Sequence, residues 1–274
     1  MMNPLKYLLI LSITAILSSC EDVVDVDLDT APPRLVIEAS IDWQKGTNGK
    51  SQQIILSTTT GYYSEEIPRV SGASVIITNS TNTVFNFVEK GDPGVYVCSD
   101  FVPKLNETYT LTVNYDGQTY KAIEKLLPVP VITRIEQNNT GGFTGEEIEV
   151  KFFYNDIPDS SNYYLNKFIS PYVVYPVYGV LKDQFFENNE MFGLYSNEDL
   201  KAGDRLNFTL FGISENYFNY MNILITQTGS AGGSPFQTPP STVRGNIVNQ
   251  SNFDNFALGY FRLSETDIKE YIIQ

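Results

Sequence analysis

Between residues 34 and 122, apolar positions recur in short runs broken by Gly, Pro, Asn and Ser. Runs at 34–41, 53–56, 73–78, 84–88 and 95–98 read as strands. Gly46, Gly49, Gly61, Pro68, Gly72, Pro93, Gly94 and Pro103 fall between them as turn residues. The sharpest local signal is 109–115, then Asp116-Gly117, then 118–122. A two-residue Asp-Gly loop suits a type I′ hairpin turn, in which both central residues need positive φ. That turn sets Tyr115 opposite Gln118, Val113 opposite Tyr120 and Leu111 opposite Ala122. Turn register and hydrophobic alternation therefore select the same face. About seven short strands in roughly 95 residues predict an Ig-like β-sandwich over 34–128. The Cys–Trp–Cys pattern of true immunoglobulin domains is missing, because Trp43 comes early and no cysteine pair flanks it.

Leu126-Leu-Pro-Val-Pro130 marks a boundary, since its two prolines stiffen the chain and donate no ladder bond. Strand patterning then resumes, predicting a second β-rich domain over 129–274. Ile148, Val150, Phe152 and Tyr154 alternate as in a half-buried strand. Further strands are expected at 163–169, 172–181 and 205–211. Residues 214–228 differ: Ser214 can cap, Glu215 suits a first turn, and Tyr217, Met221, Leu224 and Thr228 keep helical spacing. One helix is predicted there, ended by the glycines from Gly229 onward.

The 274 residues carry 18 basic and 32 acidic side chains, a net charge of −14, and no histidine. The acidic balance argues against nucleic acid, whose phosphates call for Lys and Arg. Without histidine there is no Ser-His or Cys-His dyad and no imidazole metal site. Gly-x-Ser-x-Gly, Ser-x-x-Lys, Cys-x-x-Cys and a Gly-rich phosphate loop are also missing. Carboxylate pairs of the kind glycosidases use remain: Glu146 with Glu147, Glu187 with Glu190, Glu198 with Asp199. With so many acids such neighbours arise by chance, so no catalytic residue is expected. Asp25-x-Asp27-x-Asp29 departs from a calcium loop, with Thr30 where Gly is needed and Val36 where Glu is needed. No metal and no cofactor is expected. Cys98, in a strand-like run, reads as a buried inert thiol. Candidate contact surfaces are Tyr62 and Tyr63 in a loop setting, and Pro235 and Phe236 in the proline-rich stretch 232–240. A proline-rich stretch cannot be a central strand.

The N-terminus carries an address. Residues 1–6 hold one positive charge and 7–17 are almost wholly apolar, a run too short to cross a bilayer of roughly 30 Å. Leu17-Ser-Ser-Cys20 then resembles the lipobox of bacterial lipoproteins, which makes 1–19 a signal peptide and Cys20 the acylated first residue. Several acyl chains anchor durably, since each buried CH₂ adds about 0.8 kcal/mol. Residues 20–33 form an acidic tether. Glu21-Asp22 resembles the surface-export signal of Bacteroidota lipoproteins. Asp29-Thr30-Ala31 resembles the O-glycosylation motif of that phylum, with Thr30 the modified residue.

Lipobox and tether run into Arg34-Leu-Val-Ile-Glu-Ala-Ser-Ile41, then Val70-Ser-Gly-Ala-Ser-Val-Ile-Ile77 and Gly94-Val-Tyr96. Ser234-Pro-Phe236, Gly245-Asn-Ile-Val-Asn249 and Leu258-Gly-Tyr-Phe261 follow. Together they resemble a Bacteroidota lipoprotein family known only as domain of unknown function 4249. The resemblance implies an outer-membrane lipoprotein, encoded beside TonB-dependent receptors, and it carries over no catalytic residues. The expected function is a surface-exposed, non-catalytic accessory or substrate-binding partner of a TonB-dependent transporter. The expected partners are the bilayer, through Cys20, and the receptor. The competing readings are a carboxylate-based surface glycan hydrolase and a structural or adhesive envelope module.

Overall fold

The computed structural model describes residues 31–61, 64, 66–142, 145–158, 161–183, 189–229 and 242–274. The chain divides after Pro32, and the architecture below is that of Pro33–Gln274. The fold is mainly β, as the alternating pattern predicts. Strands are β1 (Leu35–Gln44), β2 (Gln52–Thr58), β3 (Ser74–Asn79), β4 (Val84–Glu89), β5 (Val95–Cys98), β6 (Thr108–Tyr115) and β7 (Gln118–Lys125). They continue as β8 (Ile132–Gly141), β9 (Glu147–Asn155), β10 (Tyr163–Ile169), β11 (Val177–Lys182), β12 (Glu190–Asn197) and β13 (Arg205–Ile213). Helix α1 (Glu215–Gly229), β14 (Val248–Asn249) and β15 (Leu258–Ile272) complete the chain.

The β6–β7 hairpin has the expected register, with Tyr115 opposite Gln118, Val113 opposite Tyr120 and Leu111 opposite Ala122. Asp116 and Gly117 take φ of 48° and 69°, the left-handed pair a type I′ turn needs. Inward side chains of β1, β2 and β5 meet those of β3, β4, β6 and β7 in one core that holds Ile37, Ile41, Leu56, Tyr96, Phe101 and Tyr109. β4 pairs with β3 along Val84–Phe87 and with β5 at Val88 and Glu89, so it turns the corner between the two layers. A second core lies between β10–β13 and the separate sheet β12-β9-β8, built around Phe152, Tyr154, Tyr164, Phe168 and Phe208. Adjacent strand residues point to opposite faces. Tyr164 accordingly enters this core while Tyr163 packs on the other face against Phe218 of α1.

Ser214 caps α1, its Oγ accepting the Tyr217 N–H at 3.2 Å. Tyr217 and Met221 face inward over Leu165, Phe211, Ile213 and Tyr260, whereas Thr228, the last residue of the expected stripe, is exposed. The strand expected over 172–181 begins only at Val177, after a turn bounded by Pro171 and Pro176. Pro176 has no N–H to give a ladder.

β15 joins the two halves. Its first part runs parallel to β1, from Leu258 opposite Val36 to Thr266 opposite Gln44. Its last part runs antiparallel to β13, from Thr266 opposite Phe211 to Ile272 opposite Arg205. The expected division at 128–129 therefore cuts across the first core, which takes in Ile247, Ala257, Phe261 and Leu263 from the end of the chain. Where the halves meet, residues 260–267 are buried on both faces. Their charges are spoken for. Glu265 pairs with Lys45 at 2.7 Å and accepts the Val129 N–H at 3.0 Å, and Asp267 accepts the Ile132 N–H at 2.8 Å. The proline connector, which cannot use a full ladder, is thus held by carboxylates.

Candidate functional site

β1 and β2 pair only from Leu35 to Glu38, the last partner being Ile55. Beyond that point β1 stays with β15, and β2 stays with β5. The Gln52 side chain fills the widening gap. Its Oε1 accepts the Asp42 N–H at 3.2 Å, and its Nε2 donates to the carbonyls of Asp42 at 3.0 Å and Gly49 at 2.9 Å. One side-chain amide thus replaces a backbone rung, and above it the strands stand apart. An open groove of about 470 Å³ results, with Glu38, Ser40 and Asp42 along one side and Ser51, Gln53, Ile55 and Val97 along the other. Alternation explains the lining, since Leu35, Ile37, Ala39 and Ile41 take the core face of β1 and the polar residues between them take this one.

The parallel register places Tyr260 beside Glu38, Arg262 beside Ser40 and Ser264 beside Asp42. Arg262 is 5% exposed, and its Nη1 lies 2.8 Å from Asp42 Oδ1. That contact is an ion pair by distance but not by hydrogen-bond direction, for neither Nε nor Nη1 of Arg262 has a hydrogen-bond partner. The guanidinium lies over Phe211 at 4.9 Å and Tyr217 at 5.3 Å. Burial works against its charge, but Asp42 and Tyr217 outweigh burial and hold the group charged above its ordinary range.

Tyrosines extend this strip toward α1. Tyr260 packs edge-on against Tyr217 at 4.8 Å and tilted against Tyr220 at 4.9 Å. Burial, with Tyr217 and Glu38 adding to it, pushes the Tyr220 hydroxyl up to about 12. Burial also raises Tyr178, which feels Tyr217, Arg262 and Asp42. Glu124 sits at the α1 cap, accepting from Ser214 Oγ at 3.0 Å and Tyr260 OH at 3.4 Å, and burial raises its carboxyl above the usual range. With Asp42 committed to Arg262, Glu38 is the charge left to the groove. Ser40, Ser51 and Gln53 add hydroxyl and amide groups. Such a set suits hydrogen bonding to a polar ligand or partner.

The residues singled out from sequence do not converge on this groove. Cys20, Thr30, Tyr62, Tyr63, Pro235 and Phe236 lie outside the described residues. So does Glu187, and Glu190 is engaged by Arg134, which together with Arg134's bond to Glu136 ties it to a surface pairing. Glu198 and Asp199 sit exposed in the turn after β12. Cys98 is buried, donates to Asp100 at 3.1 Å and is pushed by burial up to about 11, consistent with an inert thiol. Glu38, Asp42, Gln52 and Arg262 were not foreseen. The polar alternation Glu38-x-Ser40-x-Asp42 was the available signal for one wall, and nothing local signals the strand that brings Arg262 to it.

The model of the family described as Domain of unknown function (DUF4249) matches residues 21–270. The chain belongs to the DUF4249 family. No curated protein matches it. Among solved structures it is similar to a DUF4785 family protein from Legionella pneumophila, at 11% identity and a TM-score of 0.27, over 65% of this chain and 51% of that one. It spans only about half the length of that protein. It is also similar to the FN1–FN3 domains of chicken CNTN1, at 14% identity and a TM-score of 0.25, over 67% and 60% of the two chains. A two-domain fibronectin type III segment of chicken tenascin matches at 9% identity and a TM-score of 0.20, over 68% and 89%.

In this DUF4249 chain the motif at 245–261 is structural. A Cβ on Gly245 would run into the Gly259 carbonyl, and one on Gly259 into the Ile37 carbonyl of β1. Gly259 also takes a φ of 91°, which side chains resist. The Asn246 amide donates to Phe261 C=O and accepts Phe261 N–H, both at 2.9 Å. Asn249 accepts the N–H groups of Ser251 and Asn252 at 2.9 Å. The motif seats β15 against β1.

Proposed function

We propose that this chain is a lipid-anchored, surface-exposed outer-membrane protein of Bacteroidota that acts as a non-catalytic accessory or substrate-binding partner of a TonB-dependent transporter. The observation that carries this reading is Leu17-Ser-Ser-Cys20 at the end of a short apolar run, followed at once by Glu21-Asp22. In this reading the acyl chains on Cys20 supply attachment; among the described residues no helix is long and apolar enough to cross a membrane. Sharing one bilayer raises the effective concentration of the two proteins, so a modest interface suffices for a stable pair.

The groove between β1 and β2 supports binding over hydrolysis. Glu38 and Asp42 are four residues apart on one strand, about 13 Å along it. Glycosidase carboxyls stand roughly 5–9.5 Å apart. Asp42 is moreover already paired with Arg262.

The test is a pull-down of the tagged chain from detergent-solubilised outer membranes, with Cys20→Ala and a deletion of residues 233–239 alongside. A TonB-dependent receptor should co-purify with the intact chain. Cys20→Ala should leave the membrane fraction, and the deletion should weaken the complex. Retention of Cys20→Ala after a salt wash would remove the anchor, and a purified chain that cleaves a surface glycan would replace the binding reading with an enzymatic one.

A further inference from the structure

Alternation along β10 puts Tyr164, Asn166 and Phe168 on its inner face, toward the second core. Asn166 is thus a polar residue in an aromatic series, and it is only 4% exposed. Its two neighbours in the sheet are unequal. On the β13 side it stands opposite Leu210, which is wholly buried. On the β11 side it stands opposite Gly179. Residues directly opposite share a face, so the side-chain contact expected there is missing. A Cβ on Gly179 would meet nothing within 4 Å. Across the sandwich Asn166 faces a second glycine: a Cβ on Gly193 of β12 would come 3.2 Å from Asn166 Cγ.

A slot of about 280 Å³ opens here between the outer strands β11 and β12. Asn166 lines it together with Phe168, Val177, Tyr178, Phe192 and Leu194, the last four of them exposed. Asn166 Oδ1 is buried without a hydrogen-bond partner. Folded proteins leave few such atoms, and each asks for an explanation. A water would satisfy the oxygen but leave the apolar walls uncovered. A ring that bears a hydroxyl does both, for its face covers the walls and its O–H supplies the donor that the amide oxygen lacks. A sugar fits less well, because only Asn166 and Tyr178 among the lining residues carry a polar side-chain group. The volume falls just under the roughly 300–1,000 Å³ of drug-sized sites, which suits one ring rather than several.

We propose that this slot binds a small phenol-type molecule, its ring against Phe168, Tyr178 and Phe192 and its hydroxyl donating to Asn166 Oδ1. The slot shares no lining residue with the groove between β1 and β2, and the proposal does not rest on the transporter reading.

Two probes separate the hydroxyl from the ring: 4-fluorophenol, and its methyl ether 4-fluoroanisole, which has no donor. Fluorine NMR follows the binding of each to the chain without its signal peptide. 4-Fluorophenol should saturate at one molecule per chain and bind about threefold to tenfold more tightly than the ether, the net worth of one hydrogen bond. Asn166→Leu should erase that preference. Gly179→Val fills the open space beside Asn166 and should weaken both probes about tenfold. The proposal is overturned if 4-fluorophenol shows no saturable binding at millimolar concentration, or if wild type binds both probes equally, which would leave the amide without a part. It is equally overturned if Gly179→Val binds as wild type does, which would put the phenol elsewhere. Should Gly179→Val fail to fold, Phe192→Ala at the exposed rim takes its place with the same expectation. Should Asn166→Leu fail to fold, the wild-type preference between the two probes decides the matter.

Discussion

Arg262 and Asp42 form an ion pair whose two ends stand in different surroundings: 2.8 Å apart, the arginine side chain is 6% exposed and the aspartate 44%. Removing either end is therefore not equivalent. Asp42→Ala strands a buried guanidinium and should cost about 3–5 kcal/mol. Arg262→Met leaves a carboxylate that water can reach, and should stay within about 1 kcal/mol of wild type. Urea melts of both variants check this, and the reverse order would show that the pair is not buried as described.

Glu124 makes a pH prediction. Burial raises its carboxyl on folding, so its contribution to stability is full below its unfolded pKa of about 4.3 and is lost as pH rises through the folded value. Glu124→Gln, which cannot ionise, should be at least as stable as wild type at pH 7. That advantage should vanish near pH 4. Denaturant midpoints of the two proteins at both pH values measure it.

Glycine substitutions should separate the β15 seat from ordinary strand positions. Gly245→Ala and Gly259→Ala each drive a methyl group into backbone and should cost about 2–4 kcal/mol. Gly179→Ala on the outer strand β11 meets nothing within 4 Å and should be neutral or slightly stabilising. Thermal melts of the three variants would expose a misplaced β15 as a flat series.

The Cys98 thiol, pushed up to about 11 and buried, should react with a thiol reagent at pH 8 only as fast as the chain opens. Labelling should accelerate sharply through the unfolding transition. Rapid labelling of the native protein would place the thiol at the surface.

The β6–β7 register and the Ser214 cap were legible because both are local: a turn dipeptide and a capping hydroxyl act within a few residues. Of β15 the sequence marks only Leu258-Gly-Tyr-Phe261, and that as part of the family resemblance rather than as a strand. Its middle, Arg262-Leu-Ser-Glu-Thr-Asp267, is buried on both faces yet carries three charges, so neither alternation nor an apolar run marks it. β8 shows no alternation in the sequence because register shifts at Ile132/Arg134 and Asn138/Gly141 break its period of two. β12 hides for a related reason. Its inward series Met191, Gly193, Tyr195 has a glycine at the centre, where a Cβ would meet Phe208. The groove could not be read from either wall, because it is a separation between strands rather than a property of one.

The parallel seam between β1 and β15 sets an order of events. β1 is made early, but its neighbour on that side lies more than two hundred residues further along the chain. Until residues 258–266 arrive, the first core lacks Phe261 and Leu263, and β1 offers unpaired N–H and C=O groups along an open edge. Closing so distant a contact exacts its entropy before any reward and slows folding. A nascent chain would therefore pass through a sticky, half-finished state, and a truncation that reaches back through residues 258–266 should cost the N-terminal sandwich its solubility, although that sandwich lies at the far end of the sequence.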